Sequence, residues 1–212
     1  MDNYCLFYIP KSSLDPVNDI LTIFFGGSVP VTNRLDKDNV SVLFNKEIPV
    51  GYLIKNFSKL CKIKINGMIY LPNDFLIDVI NGELAKANLS LLPYKESSGF
   101  VIGKILSKEP LRKSFIYEVD LGDKKINAES TYGIKENSFV VIATVGTYLL
   151  PGRMIDSYKV MQKYICEGRI CSFDDLQIPS EDIYSPLVID EESEVGKDFF
   201  SMEEKVNAWS WT

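Results

Sequence analysis

The sequence predicts a mainly β, α+β chain of two domains, a small α+β domain followed by a closed five-stranded β-barrel. Three observations carry this. Short β-branched and aromatic runs recur along both halves, with turn residues between them. One stretch near residue 75 changes to helical spacing. A Ser- and Gly-containing connector, residues 91–99, divides the chain.

Residues 4–9 and 20–25 read as strands, and Gly26-Gly27 ends the second. Residues 40–44 and 51–57 read as two more, joined by a turn over 45–49. Phe75, Leu76, Val79, Ile80 and Leu84 then fall on one helical face, with Asn73 as the expected N-cap. After Gly99 come strands at 100–108, 115–121, 124–128 and 139–145. Phe115, Tyr117, Val119 and Leu121 alternate, so they face the barrel interior, with Ile116, Glu118 and Asp120 outward. About 75 residues suits a five-stranded Greek-key barrel, the OB-fold, better than a larger sandwich. Ser172 to Asp175 resembles a capping box opening a short helix. Met202, Val206 and Trp209 predict a helical tail. The expected domains are therefore 1–90, 91–200 and the tail 201–212.

The absence of histidine from all 212 residues removes Ser-His-Asp and Cys-His catalysis and every His-containing zinc site. Cys5, Cys61, Cys166 and Cys171 include no C-x-x-C pair, so no metal centre is expected and the thiols read as small core residues. No Walker-type or G-x-G-x-x-G loop occurs, so no catalytic residue and no cofactor is expected. No apolar run is long enough for a membrane helix, and Met1-Asp2-Asn3 lacks a basic export signal, so the expected compartment is the cytoplasm with no membrane partner.

The net charge of -6 conceals an asymmetry. Residues 1–99 balance 10 basic against 10 acidic groups, 100–172 carry 11 against 8, and 173–212 carry 2 against 11. The middle segment is the part suited to a polyanion. Lys104 and Lys108 share a strand face, Arg112 and Lys113 follow in the next loop, and Arg153, Lys159, Lys163 and Arg169 come from the segment closing the barrel. Together they would form a basic rim contacting phosphates.

Val141-Ile-Ala-Thr-Val-Gly146, Leu149-Leu-Pro-Gly152, Ile155, Lys159 and Cys166-Glu-Gly-Arg-Ile-Cys-Ser172, followed by Asp174-Asp175-Leu176, form a longer pattern. So do Val101-Ile-Gly-Lys-Ile-Leu106 and Tyr117-Glu-Val-Asp-Leu-Gly122 upstream, and Glu194-Val-Gly196 downstream. This resembles the EMAP-type tRNA-binding OB domain. Val42-Leu-Phe-Asn-Lys-Glu47 and Gly51-Tyr-Leu-Ile-Lys-Asn56 are similar to YtpR-type proteins, stand-alone relatives of the module in the phenylalanyl-tRNA synthetase beta subunit. The resemblance implies non-catalytic tRNA binding. Of the family's H-P-x-A-D-K-L only Pro110 survives, and Glu129 stands where the family has Gly. Cys166 and Arg169 occupy the places of the family's RNA-contacting Ser and Met. The expected contacts are Lys104, Arg112, Lys113, Arg153, Lys159, Lys163, Cys166 and Arg169. The alternative is a protein-interaction module that keeps the barrel, with residues 1–90 open to a protein partner.

Overall fold

A computed structural model describes residues 3–11, 19–150, 152–189 and 194–201. The expected tail helix and the acidic run at 191–193 lie outside them. The described chain is mostly β, with one α-helix. It divides into two compact units: one runs to Glu96 and includes Leu150–Arg153, the other takes Ser97–Leu149 and the chain from Met154 on.

The first unit holds strands β1 (Cys5–Ile9), β2 (Ile20–Phe24), β3 (Asn33–Lys37), β4 (Val40–Asn45), β5 (Ile48–Lys55) and β6 (Gly67–Ile69), then helix α1 (Asp74–Lys86). The six strands form one sheet in the order β3-β4-β5-β2-β1-β6, antiparallel throughout. Neither β3 nor β6 was expected from the sequence. β3 is exposed along its whole length and has no apolar alternation to betray it. The Asn73 side chain accepts from the Leu76 backbone N–H at 2.9 Å, fixing the start of α1 as the sequence predicts. The stripe α1 turns to the sheet is Leu76, Ile77, Ile80 and Leu84, all buried. Phe75, expected on that face, is 64% exposed and Ile77 takes its place. Leu6, Leu21, Ile23, Tyr52 and Ile54 complete this core from the sheet.

One buried carboxylate stands at the head of β2. Asp19 is wholly inaccessible and accepts from Ser58 N (2.6 Å), Ser58 Oγ (2.7 Å) and the Tyr8 hydroxyl (3.1 Å). Burial pushes its pKa up, but the Ser58 and Tyr8 donors outweigh that and hold it below the usual carboxylate range. Burial and the Asp19 charge raise the Tyr8 phenol to about 12.

The second unit contains β7 (Phe100–Pro110), β8 (Phe115–Asp120), β9 (Lys125–Ser130) and β10 (Phe139–Thr144). β11 (Tyr148–Leu149) and β12 (Arg153–Met154), whose first residue falls in the first unit, follow, then β13 (Tyr158–Val160), β14 (Tyr164–Ile170) and β15 (Val188–Ile189). The sheet order is β13-β14-β9-β8-β7-β10-β15, and β14 also pairs with β10. The pairings of β7, β8, β9, β14 and β10 thus return on themselves, with β9 and β14 parallel. β7 pairs through both of its edges, residues 100–104 with β10 and residues 104–110 with β8, and a bulge lies between Ile105 and Ser107.

Inside this ring Tyr117, Val119, Leu121, Ile126, Ala128, Val140, Ile142 and Ile170 form the core, with Phe115 packed against it. The alternating stripe therefore faces inward as its period requires. Ile116, expected to point outward from the barrel, is buried but is not part of this core. Gly168 is required here, because a Cβ would come within 2.8 Å of Ile126 Cδ1 and 2.9 Å of Ile142 Cγ2. The capping box at Ser172 forms its reciprocal bonds with Asp175, at 2.9 Å and 3.2 Å. No helix follows: the chain makes turns and Gln177 adopts φ +57°. Gly196, at φ +87°, brings the closing segment against the β8–β9 turn, where a Cβ would sit 2.7 Å from Leu121 O.

Candidate functional site

Pro110 ends β7, and a Leu111 N–H bond to Ser114 O at 2.8 Å closes the connection to β8. That tight connection leaves Arg112 and Lys113 exposed at its tip. The β13–β14 turn reaches the same place. Lys163, in that turn, donates to Glu109 Oε1 at 3.2 Å. The Tyr164 hydroxyl donates to the other oxygen of Glu109 and accepts from Lys163. The Lys163 ammonium also lies 4.4 Å over the Tyr164 ring. The Tyr164 hydroxyl, then Lys163, holds Glu109 below the ordinary carboxylate range. Tyr164 and Glu109 in turn raise Lys163. Lys159 is exposed on β13, in register with Ile165. Arg112, Lys113 and Lys163 are thus brought to one end of the second unit, and Lys159 stands on the hairpin that ends in Lys163.

The remaining expected contacts are placed differently. Cys166 is fully buried, in register with Tyr158, and burial pushes its thiol pKa up. It presents nothing to a ligand on this surface, a correction to the expectation drawn from the motif. Its strand alternates, and the Cys166 position points inward where the family's motif alone suggested a contact. Arg169 is 42% exposed, but its Nε donates to Asp175 Oδ2 at 3.0 Å. Lys104 lies 5.7 Å from the Phe139 ring centroid, six residues back from Pro110, about 20 Å along a straight strand. Arg153 is exposed and belongs with the first unit. Lys108, on β7, lies 4.1 Å over Phe115.

The sequence marks Glu129 as an acidic departure from the family pattern, but it does not show that carboxylates interleave with these cations. Glu109 meets Lys163 and Asp175 meets Arg169, while Glu129 accepts from Ser114 Oγ (2.6 Å) and the Tyr158 hydroxyl (3.3 Å). Each is visible as an acidic residue, but Glu109 lies 54 positions from Lys163 and Glu129 lies 29 from Tyr158, so only the fold brings these pairs together. Equally unforeseen is an open cavity of about 680 Å³ beside the β8–β9 turn. Leu121, Lys124, Thr144, Glu167, Val195 and Lys197 help line it. Its mixed charges favour no one class of ligand.

Among the described residues no group of three His, Cys, Asp or Glu is placed to hold a metal ion. The cysteines are free. Burial raises Cys5 to about 12 and Cys171 well above its ordinary value, so neither is a thiolate nucleophile at neutral pH. Among the described residues no helix is long and apolar enough to cross a membrane. What the arrangement offers chemically is a cluster of fixed cations on two turns, with ion-paired cations farther off. In comparisons with known proteins, no family model matches the chain and no curated protein matches it.

Proposed function

We propose that the second unit is an OB-fold that binds folded RNA, tRNA in the first instance, and performs no chemistry on it. The observation that supports this reading is the return of β14 onto both β9 and β10, a pairing that a five-stranded Greek-key barrel would require. The β7–β8 and β13–β14 turns carry Arg112, Lys113 and Lys163, and Lys159 precedes the second turn. These four cations contact the sugar-phosphate backbone, and the exposed bases of a loop supply the rest of the recognition. The resemblance of residues 141–176 to the EMAP-type pattern supports the same reading. Free cysteines fit a reducing cytoplasm.

The test is a mobility-shift titration of the full chain with unfractionated tRNA between about 50 and 200 mM salt. Neutralising about four phosphates gives a log-log slope near -3 to -4. A slope near zero, or no binding below about 0.1 mM tRNA at low salt, overturns the RNA reading. It would favour a protein-interaction module, the second reading, to which one observation lends weight: Lys163 and Arg169 are already met by carboxylates.

A further inference from the structure

Met161 stands at the tip of the β13–β14 hairpin under conditions that stability alone does not explain. Its backbone is left-handed at φ +49°, and Gln162 follows at φ +57°. Lys163 N–H closes the turn onto Val160 O at 3.1 Å. Turns with two successive positive φ values are built from Asn, Asp and Gly, because an L side chain crowds its own carbonyl there. The other left-handed non-glycine residues among those described are Asp38, Lys46, Asn56, Asn88, Asn137 and Gln177, all polar. Met161 alone is apolar. It is also 75% exposed, so no burial offsets the strain. Backbone strain held at one exposed position points to a use for the side chain that sits there.

The setting says what that use is. The root of the hairpin is tied down, because Lys163 and Tyr164 both bond to Glu109 of β7. The tip therefore projects an unbranched thioether from a braced turn. Lys159 and Lys163 flank it in sequence, and both are exposed. An apolar wedge between two cations suits a partner that is both polyanionic and able to offer a flat apolar surface. An unpaired base in an RNA loop is such a partner, and Met is among the side chains that wedge against bases. We propose that Met161 packs against an unpaired base of the bound RNA, while Lys159 and Lys163 hold the adjoining phosphates. This rests on the RNA-binding reading above and adds to it the base-contacting residue.

The experiment compares the parent chain with Met161→Ala, Met161→Leu and Met161→Gly, using unfractionated tRNA and a blunt 20-base-pair RNA duplex as probes. Met161→Ala is expected to weaken tRNA binding about tenfold with an unchanged salt slope, because no charge is lost. Met161→Leu should stay within about threefold of the parent. Duplex binding should be the same for all four chains, since a duplex offers no unpaired base. Met161→Gly should raise the thermal midpoint by about 2–3 °C while lowering tRNA affinity as Ala does. If Met161→Ala binds tRNA within twofold of the parent, or loses duplex and tRNA affinity alike, the inference fails and the RNA reading stands. If the parent itself does not bind tRNA, the RNA reading fails and takes the inference with it.

Discussion

The first unit leaves its sheet open; in the second, five strands pair in a closed cycle. An open sheet has edges and a face that needs covering. β3 is such an edge, and it carries Arg34, Asp36 and Lys37, with Asp36 accepting from Ser41 Oγ at 2.5 Å and meeting Arg34 at 3.2 Å. Charges along an edge discourage another strand from adding to it. The core face is covered by α1. The second unit gathers its core within the strand cycle, and among its described residues there is no α-helix. Its turns are thereby left over from the work of folding, and three of the candidate cations stand on them. The contrast is between charge spread along an exposed sheet edge in one unit and charge gathered on the turns of a closed strand cycle in the other.

Truncating each core is the harshest way to probe that contrast. Ile80 of α1 and Ile142 of β10 are both fully buried. Ile80→Ala and Ile142→Ala should each cost about 2–5 kcal/mol, the transfer loss plus the cavity left behind. Amide hydrogen exchange would locate the damage. Ile80→Ala should lower protection in α1 and the β1 and β2 strands it packs on. Ile142→Ala should lower it around the whole cycle, β14 included, because β14 pairs with β10 at Ile142 itself. Amides of β14 that stay protected in Ile142→Ala would show that the cycle does not open as one.

A smaller effect is expected at Asp19, the buried carboxylate of the first unit. Asn offers one acceptor oxygen where Asp19 uses two, so Asp19→Asn leaves a donor of Ser58 or Tyr8 poorly met, at about 1–3 kcal/mol. The pH dependence has a definite sign. Asp19 titrates lower in the folded chain than the unfolded value of about 3.9. Its contribution is therefore complete above about pH 4 and is lost as the pH falls through the folded value. Urea titrations from pH 7 to pH 2 should show a shallower acid limb in Asp19→Asn than in the parent. Parallel acid limbs would mean that other carboxylates carry the acid sensitivity.

How far the sequence reached follows the same physics. The inward stripe of β8, the buried run of β10 and the Asn73 cap are local patterns, and each formed where its period or hydrogen bond required. β3 was illegible because its Asn-Arg-Leu-Asp-Lys run becomes a strand only through pairing with β4. β6 has three residues and is held by β1. At the site, Arg112 and Lys113 were legible as loop cations, since a Pro-bounded turn exposes whatever it carries. Cys166 was misplaced because a motif fixes spacing while strand alternation fixes direction. The pairing of Lys163 with Glu109 depends on how two hairpins meet, which no local pattern contains.

That pairing supplies the mildest test and the one nearest to function. In the parent, Glu109 offsets the charge of Lys163, and its lowered pKa keeps it ionised through the neutral range. Glu109→Gln keeps the side-chain length and removes the negative charge. The ammonium of Lys163 then meets phosphate without a competitor, so tRNA affinity should rise about two- to fivefold and the salt slope should steepen by up to about 1. The parent's affinity should be flat from pH 8 to pH 5 and rise only below the usual carboxylate range of about 4.3, where Glu109 takes up a proton. Glu109→Gln should abolish that acid rise. Unchanged affinity in Glu109→Gln would remove Lys163 from the contacts and leave Arg112, Lys113 and Lys159 to carry the interface. A fall in affinity would show instead that Glu109 matters chiefly as a brace for the β13–β14 turn. The surface would then depend less on its count of cations than on how rigidly the hairpin presents them.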